Sequence, residues 1–198
     1  RKAGLDVKAL EIGPIAIRRL VVAMQRTHPP QNTLVVNCGR TKTYLTLLSD
    51  TRLLADDEVD FGEDVLREKI GTALGLDAEL LDDLVRDIDL TPGSEDPKAR
   101  TVAEIIKPEF TKLAHEIRRG LVFAASESRG ARTDHVYLLG SIARWNGTEG
   151  LLASMVDATV SKIPNPLALF SGVFEPTDVQ PELAVATGLA LRGVSDDG

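Results

Sequence analysis

Apolar and polar side chains alternate from residue 5 to 12 with the two-residue period of a strand. Pro14 then suits the first turn of a helix, and Ile15, Ile17, Leu20, Val21 and Met24 supply one apolar stripe. That helix should stop before His28-Pro29-Pro30, since proline disfavours a helical residue ahead of it. The run 34–36 reads as a buried strand, and Gly39 lets the chain turn tightly. Residues 44–48 and 53–59 look like the arms of a hairpin around Ser49-Asp50-Thr51. Two helices follow, 63–74 ending near Gly75 and 77–87 with Asp77 as N-cap. Residues 91–100, with Pro92, Gly93, Ser94 and Pro97, read as a mobile loop. The longest helix is expected at about 102–126: Ile106, Phe110, Leu113, Ile117 and Leu121 recur at steps of three and four. Pro108 either kinks it early or marks its start. A short strand at 136–139 exits at Gly140, an amphipathic helix covers 148–159, a strand-like or irregular piece covers 163–174, and an Ala-rich helix covers 181–191.

Three consecutive antiparallel strands followed by alternating helices and strands predict an α/β fold with a mixed sheet. The order resembles the ribonuclease-H-like plan, the building block of actin-like ATPases, which set two such halves around a cleft. One half is expected here. Residues 1–31 would connect from a missing N-terminal half. Residues 32–193 would form the domain, with a small helical insertion at about 75–101, and 194–198 a tail.

Composition narrows the function. At 198 residues the chain can bury one good-sized core, and 43% hydrophobic with 27% charged residues is ordinary for a globular protein. A net charge of −7 argues against a nucleic-acid partner, whose phosphates need a basic face. No apolar run approaches the roughly 18 residues that span a bilayer, so no membrane insertion is expected. The chain starts at Arg1 without a signal peptide and reads as the middle of a longer protein. The single Cys38 excludes an internal disulfide and a cysteine zinc cluster, fits a reducing compartment, and reads as a small packed side chain.

Three segments could carry chemistry. In the turn Asn37-Cys38-Gly39-Arg40-Thr41-Lys42-Thr43, backbone N–H groups and the hydroxyls of Thr41 and Thr43 could cradle β- and γ-phosphates. The plainer reading is a β-turn with threonines chosen for strand propensity. It is not a Walker A loop, because Thr41 stands where that motif needs glycine. On the long helix, Glu116 and Arg119 share a face, where they could meet ribose hydroxyls and a purine or simply pair with each other. After the fourth strand, Gly140-Ser141 opens a small-residue bend where a base or ribose could approach the backbone. An ordinary strand-to-helix loop is the alternative.

The remaining residues point less far. His115-Glu116 lacks the second histidine of a zinc helix, and Gly140-Ser141 lacks the nucleophile-elbow spacing. His28 and His135 are expected to be solvated, and Asp56-Asp57-Glu58 and Asp82-Asp83 to form soluble faces. Trp145 is expected to be partly buried in a loop, with adenine stacking as the alternative.

Taken in order, these segments resemble the second half of the type IV pilus assembly protein PilM family, actin-like proteins related to the cytoplasmic part of the type II secretion L protein. Ala3-Gly4-Leu5 and Leu10-Glu11-Ile12-Gly13-Pro14 look like the family's passage between its halves. Asn37 to Thr43 lies where the family has a D-I-G-x-x-x-T phosphate turn. Phe61-Gly62-Glu63 and Ala73-Leu74-Gly75-Leu76 are similar to its F-G-G helix and "LGL" segment. Glu116-Ile117-Arg118-Arg119-Gly120-Leu121 resembles its E-I-x-R-S-L helix, and Tyr137-Leu138-Leu139-Gly140-Ser141 its strand and Gly-Gly nucleotide turn. Residues 186–193 are close to its terminal A-x-G-L-A-L-R-G helix.

The resemblance implies a cytoplasmic scaffold, peripheral to the inner membrane, that binds ATP with Mg²⁺ and grips the cytoplasmic tail of a membrane-anchored, PilN-like pilus or secretion protein. The family's groove for that tail lies largely in the half that precedes this one. Asn37 replaces the acidic residue that would hold the metal, and Ser141 adds a side chain where the second glycine would stand. Arg40 could bring compensating positive charge. Weak or absent nucleotide binding and no useful turnover are therefore expected, with any nucleotide contacts from Asn37, Gly39, Arg40, Thr41, Thr43, Glu116, Arg119, Gly140 and Ser141, and no catalytic or metal-ligating residue. Two other readings stand at this level: an active ATPase or small-molecule kinase of the same superfamily, and a polymerising cell-division or shape-determining actin relative.

Overall fold

The structure is a computed structural model that describes residues 10–24, 32–127, 133, 135–163 and 181–195. Most of the strand expected at 5–12 and of the piece expected at 163–174 lies outside them. Among the described residues, five strands form one sheet in the order β3-β2-β1-β4-β5. They are β1 (Asn32–Cys38), β2 (Thr43–Ser49), β3 (Arg52–Val59), β4 (His135–Gly140) and β5 (Thr159–Lys162). The first three pair antiparallel as a meander, and β1–β4 and β4–β5 pair parallel. The central strand is buried on both faces, as a strand covered twice must be. Leu34, Val36 and Cys38 enter the larger core; Val35 enters a smaller one.

Helices α1 (Gly13–Met24) and α6 (Ala184–Ser195) supply the smaller core, with Ile17, Leu20, Val21 and Ala184 on Val35, Leu48 and Leu139. On the other face lie α2 (Glu63–Leu74), α3 (Ala78–Asp87) and α4 (Pro97–Glu127), whose apolar stripes bury Leu66, Ile70, Leu81, Ile106, Phe110, Leu113 and Ile117. The Asp77 side chain caps α3 by accepting from the Leu80 N–H at 2.9 Å.

Three expectations need correction. The loop expected at 91–100 is cut short, because α4 begins at Pro97. The Asp96 side chain accepts from the Lys98 N–H at 2.9 Å, so Asp96 is the N-cap and Pro97 the first helical residue, where its missing N–H costs nothing. Pro108 neither starts nor ends the helix. A proline inside a helix costs about 3 kcal/mol, but the buried stripe from Val102 to Ile117 runs straight through it, and packing outweighs propensity. The helix expected at 148–159 is also shorter: α5 is Thr148–Ala153, and Thr159 opens β5, pairing opposite His135.

Candidate functional site

At the carboxyl end of β1 the chain reverses through Gly39, whose N–H donates to the Lys42 carbonyl at 2.8 Å. Arg40 and Thr41 stand exposed at the tip. At the base, Thr43 is fully buried, and its hydroxyl donates to the Phe61 carbonyl at 2.9 Å with Cys38 Sγ at 3.2 Å. That hydroxyl holds the turn from within rather than facing a phosphate. Burial pushes the Cys38 thiol up to about 12, so it stays protonated and unreactive. Lys42 also turns away from the tip: its ammonium pairs with Asp60 and with Glu58, and those bonds raise its pKa.

The turn leans on the start of α2. The N–H groups of Glu63 and Asp64 donate to the carbonyls of Gly39 (3.1 Å) and Arg40 (2.8 Å). Two of the helix's free N–H groups are thereby satisfied by the turn itself. The approach is so close that a Cβ on Gly62 would lie 2.3 Å from the Arg40 carbonyl oxygen. Arg40 forks onto the Asp64 carboxylate at 3.2 and 3.3 Å, an exposed pair of small worth that leaves the guanidinium free to move.

Parallel pairing sets Asn37 beside Leu139 and Cys38 beside Gly140. Gly140 has φ 84°, and a Cβ there would sit 2.0 Å from the Cys38 carbonyl oxygen and 2.9 Å from Asn37 Oδ1. Only glycine fits. Ser141 follows in a 3₁₀ turn, Ser141–Arg144, and its hydroxyl lies 3.1 Å from the carbonyl oxygens of both Cys38 and Gly39. The serine thus ties the bend to the turn.

One anchor of this assembly escaped the sequence reading. Trp145 is fully buried, not partly exposed in a loop, and its indole N–H donates to Glu63 Oε1 at 3.1 Å. Arg144 approaches Glu63 Oε2 at 3.5 Å. Glu63 therefore links the helix behind the turn to the chain leaving the bend, across 82 positions of sequence. The family motif at Phe61-Gly62-Glu63 was the available signal; its partner was not.

Asn37, Gly39, Arg40, Thr41, Gly140 and Ser141 thus come together at one end of the sheet, with Thr43 beneath them. Glu116 and Arg119 do not join them. They pair with each other on α4 and line an open depression of about 760 Å³ with Leu45, Asp57 and Val59 of the outer strands. No residue of the turn or the bend lines that depression.

Of the grouped side chains, the exposed Arg40 guanidinium and Thr41 hydroxyl are the ones open to an anion. The grouped residues do not fit a hard divalent cation. Asn37 is neutral, and no cluster of three metal-ligating side chains occurs among the described residues.

Solved structures share this arrangement of strands and helices. MreB 5 of Spiroplasma citri bound to AMPPNP matches with a TM-score of 0.71 and 10% identity, over 99% of this chain and 62% of that one. The ethanolamine utilization protein EutJ from Carboxydothermus hydrogenoformans matches at 0.67 and 16%, over 96% and 56%. At such identities the likeness is one of fold, and the fold is that of the actin-like proteins. Sequence carries the assignment further. The family profile of the type IV pilus assembly protein PilM matches residues 1–194, and the chain belongs to that family. A protein of the PilM-PilN type IV pilus biogenesis complex is similar at 27% identity and a TM-score of 0.74, over 97% of this chain and 55% of that one. This chain spans about half the length of that relative.

Proposed function

We propose that this chain is the nucleotide-facing part of a cytoplasmic, PilM-like scaffold in a type IV pilus or type II secretion assembly machine. In this reading it holds ATP weakly, without turnover, and works with a PilN-like, membrane-anchored partner. The close approach of the Asn37 side chain to the Gly140 bend carries the reading: a nucleotide-type turn and bend meet at one end of the sheet, and the side chain at their junction lacks a charge.

Phosphate would meet the exposed tip at Arg40 and Thr41, and ribose or base the backbone around Gly140 and Ser141. With no carboxylate at position 37, phosphate charge would rest on Arg40 alone, too little to orient a water for hydrolysis. The partner is proposed from the company that the similar PilM keeps in its complex with PilN. Among the described residues no helix is long and apolar enough to cross a membrane, which agrees with attachment through a partner.

Isothermal titration of the full chain with Mg-ATP tests the reading. Wild type should bind in the high micromolar range or weaker, and Asn37→Asp should tighten binding at least tenfold by restoring a metal-associated carboxylate. Tight wild-type binding with steady phosphate release would overturn it.

A further inference from the structure

Away from the turn and the bend, α2 ends at Gly75 in the left-handed conformation, and Asp77 restarts the chain as α3. The two helices form a hairpin that closes against the first turns of α4. Between them runs an apolar groove of about 650 Å³, built by Leu74, Leu76, Leu80, Leu84, Ile88 and Val102. Ile88 and Val102 form its buried floor, while Leu74 is 38% and Leu80 54% exposed. Two leucines held open at the mouth of one groove are unusual for a surface with nothing to cover.

Charge identifies the cover. Residues 77–96 hold eight of the chain's 30 acidic residues and one of its 23 basic ones, leaving twenty-two of each sign elsewhere. The whole excess of −7 is concentrated in this segment. Asp83, Asp87 and Asp96 edge the groove, against Lys98 as its single basic lining residue. Arg86 pairs with Asp83, but no ion pair among the described residues involves Asp87 or Asp96. Such a rim repels phosphopeptides, nucleic acid and anionic lipid. It attracts cations.

We infer that the α2–α3–α4 groove docks a cationic amphipathic helix of a partner protein, its apolar face seated on Leu74, Leu80 and Leu84 and its lysines or arginines against Asp87 and Asp96. Helix-in-groove recognition uses anchors at positions i, i+3 or i+4, and i+7. The inference is independent of the nucleotide reading, since no residue of the turn or bend lines the groove.

The test is fluorescence anisotropy of the full chain with a labelled peptide of about 18 residues, leucines at helical spacing and lysines elsewhere. The expected result is saturable binding that weakens as salt rises. Leu80→Asn and Asp87→Lys should each weaken it at least tenfold, whereas Asp57→Lys, on β3, should change it less than twofold. All three side chains are exposed, so unfolding midpoints should match wild type and confirm intact folds. Unchanged binding in Leu80→Asn, or equal losses in Asp57→Lys and Asp87→Lys, would overturn the inference. So would concentration-dependent self-association abolished by Leu80→Asn, because the occupant would then be a second copy of the chain. The Asn37→Asp titration can fail without altering any of these outcomes.

Discussion

Gly140 carries more of the site than any other single residue. Its positive φ is accessible to glycine at little cost, and its missing side chain lets β4 leave the sheet directly beneath the Cys38 carbonyl. Alanine would meet both penalties at once: a strained dihedral and a Cβ 2.0 Å from a backbone oxygen that cannot rotate away. Gly140→Ala should lower unfolding free energy by on the order of 2–4 kcal/mol, the upper range for a point change at a constrained backbone position. Urea denaturation followed through Trp145, the chain's single tryptophan, measures it directly. A loss under about 0.5 kcal/mol, the size of an ordinary surface change, would show that the bend is less constrained than its geometry. Ser141 sits one position on and bonds to the same carbonyl, so its side chain braces the bend.

At the scale of elements, helix boundaries were legible where local chemistry fixes them. Helix α2 spans Glu63–Leu74 and ends at Gly75, and Asp77 caps α3, as the sequence suggested. Ser94-Glu95-Asp96-Pro97 misled, because the residues that make a loop are also those that start a helix; Asp96 and Pro97 in adjacent cap and first-turn positions were the clue. Strand β5 was hidden for a different reason. Four residues offer no alternation to read, and Thr159-Val160-Ser161 becomes a strand by pairing with β4. Helical spacing likewise put Glu116 and Arg119 on one face of α4 but could not say which strands that face overlies. The turn and the bend were readable as motifs; their junction through Glu63 and Trp145 was not, because nothing local links them.

The β4–β5 pairing should depend on pH. His135 opens β4 half-buried, with Nε2 2.7 Å from Ser161 Oγ and its ring 4.4 Å from that of Tyr137. Burial lowers its pKa below the ordinary 6.5. The unfolded chain therefore binds the proton more readily than the folded one. The neutral imidazole's contribution is complete above about pH 6.5 and is lost as pH falls through the lowered folded value. Urea midpoints for wild type should drop between about pH 7.5 and 5.5 more steeply than those of His135→Gln, in which the titrating ring is gone. Parallel pH curves for the two proteins would refute the assignment.

On the scale of the whole molecule, the described residues cover the two faces of the sheet unequally. Among the described residues, twenty-seven buried apolar side chains form the core on the α2–α4 side and eight the core on the α1–α6 side. The smaller layer is held together chiefly by its own helices. A Cβ on Gly188 would lie 2.1 Å from the Ala16 carbonyl oxygen, and Arg19 reaches the Gly188 carbonyl at 2.9 Å while pairing with Glu11. Helices locked to each other over a thin apolar seam should leave the sheet as one unit, at a free energy below that of global unfolding. Native-state hydrogen exchange should therefore find the amides of α1 and α6 opening together and ahead of those in β1, which is covered on both faces. Gly188→Val should speed exchange in both helices at least tenfold, by forcing the Ala16–Gly188 approach apart, and leave β1 within about twofold as long as the larger core stays closed. Amides of α1 and α6 as slow as those of β1, or a variant in which α6 alone speeds up, would mean that the two layers form a single cooperative unit or that the helices are not coupled.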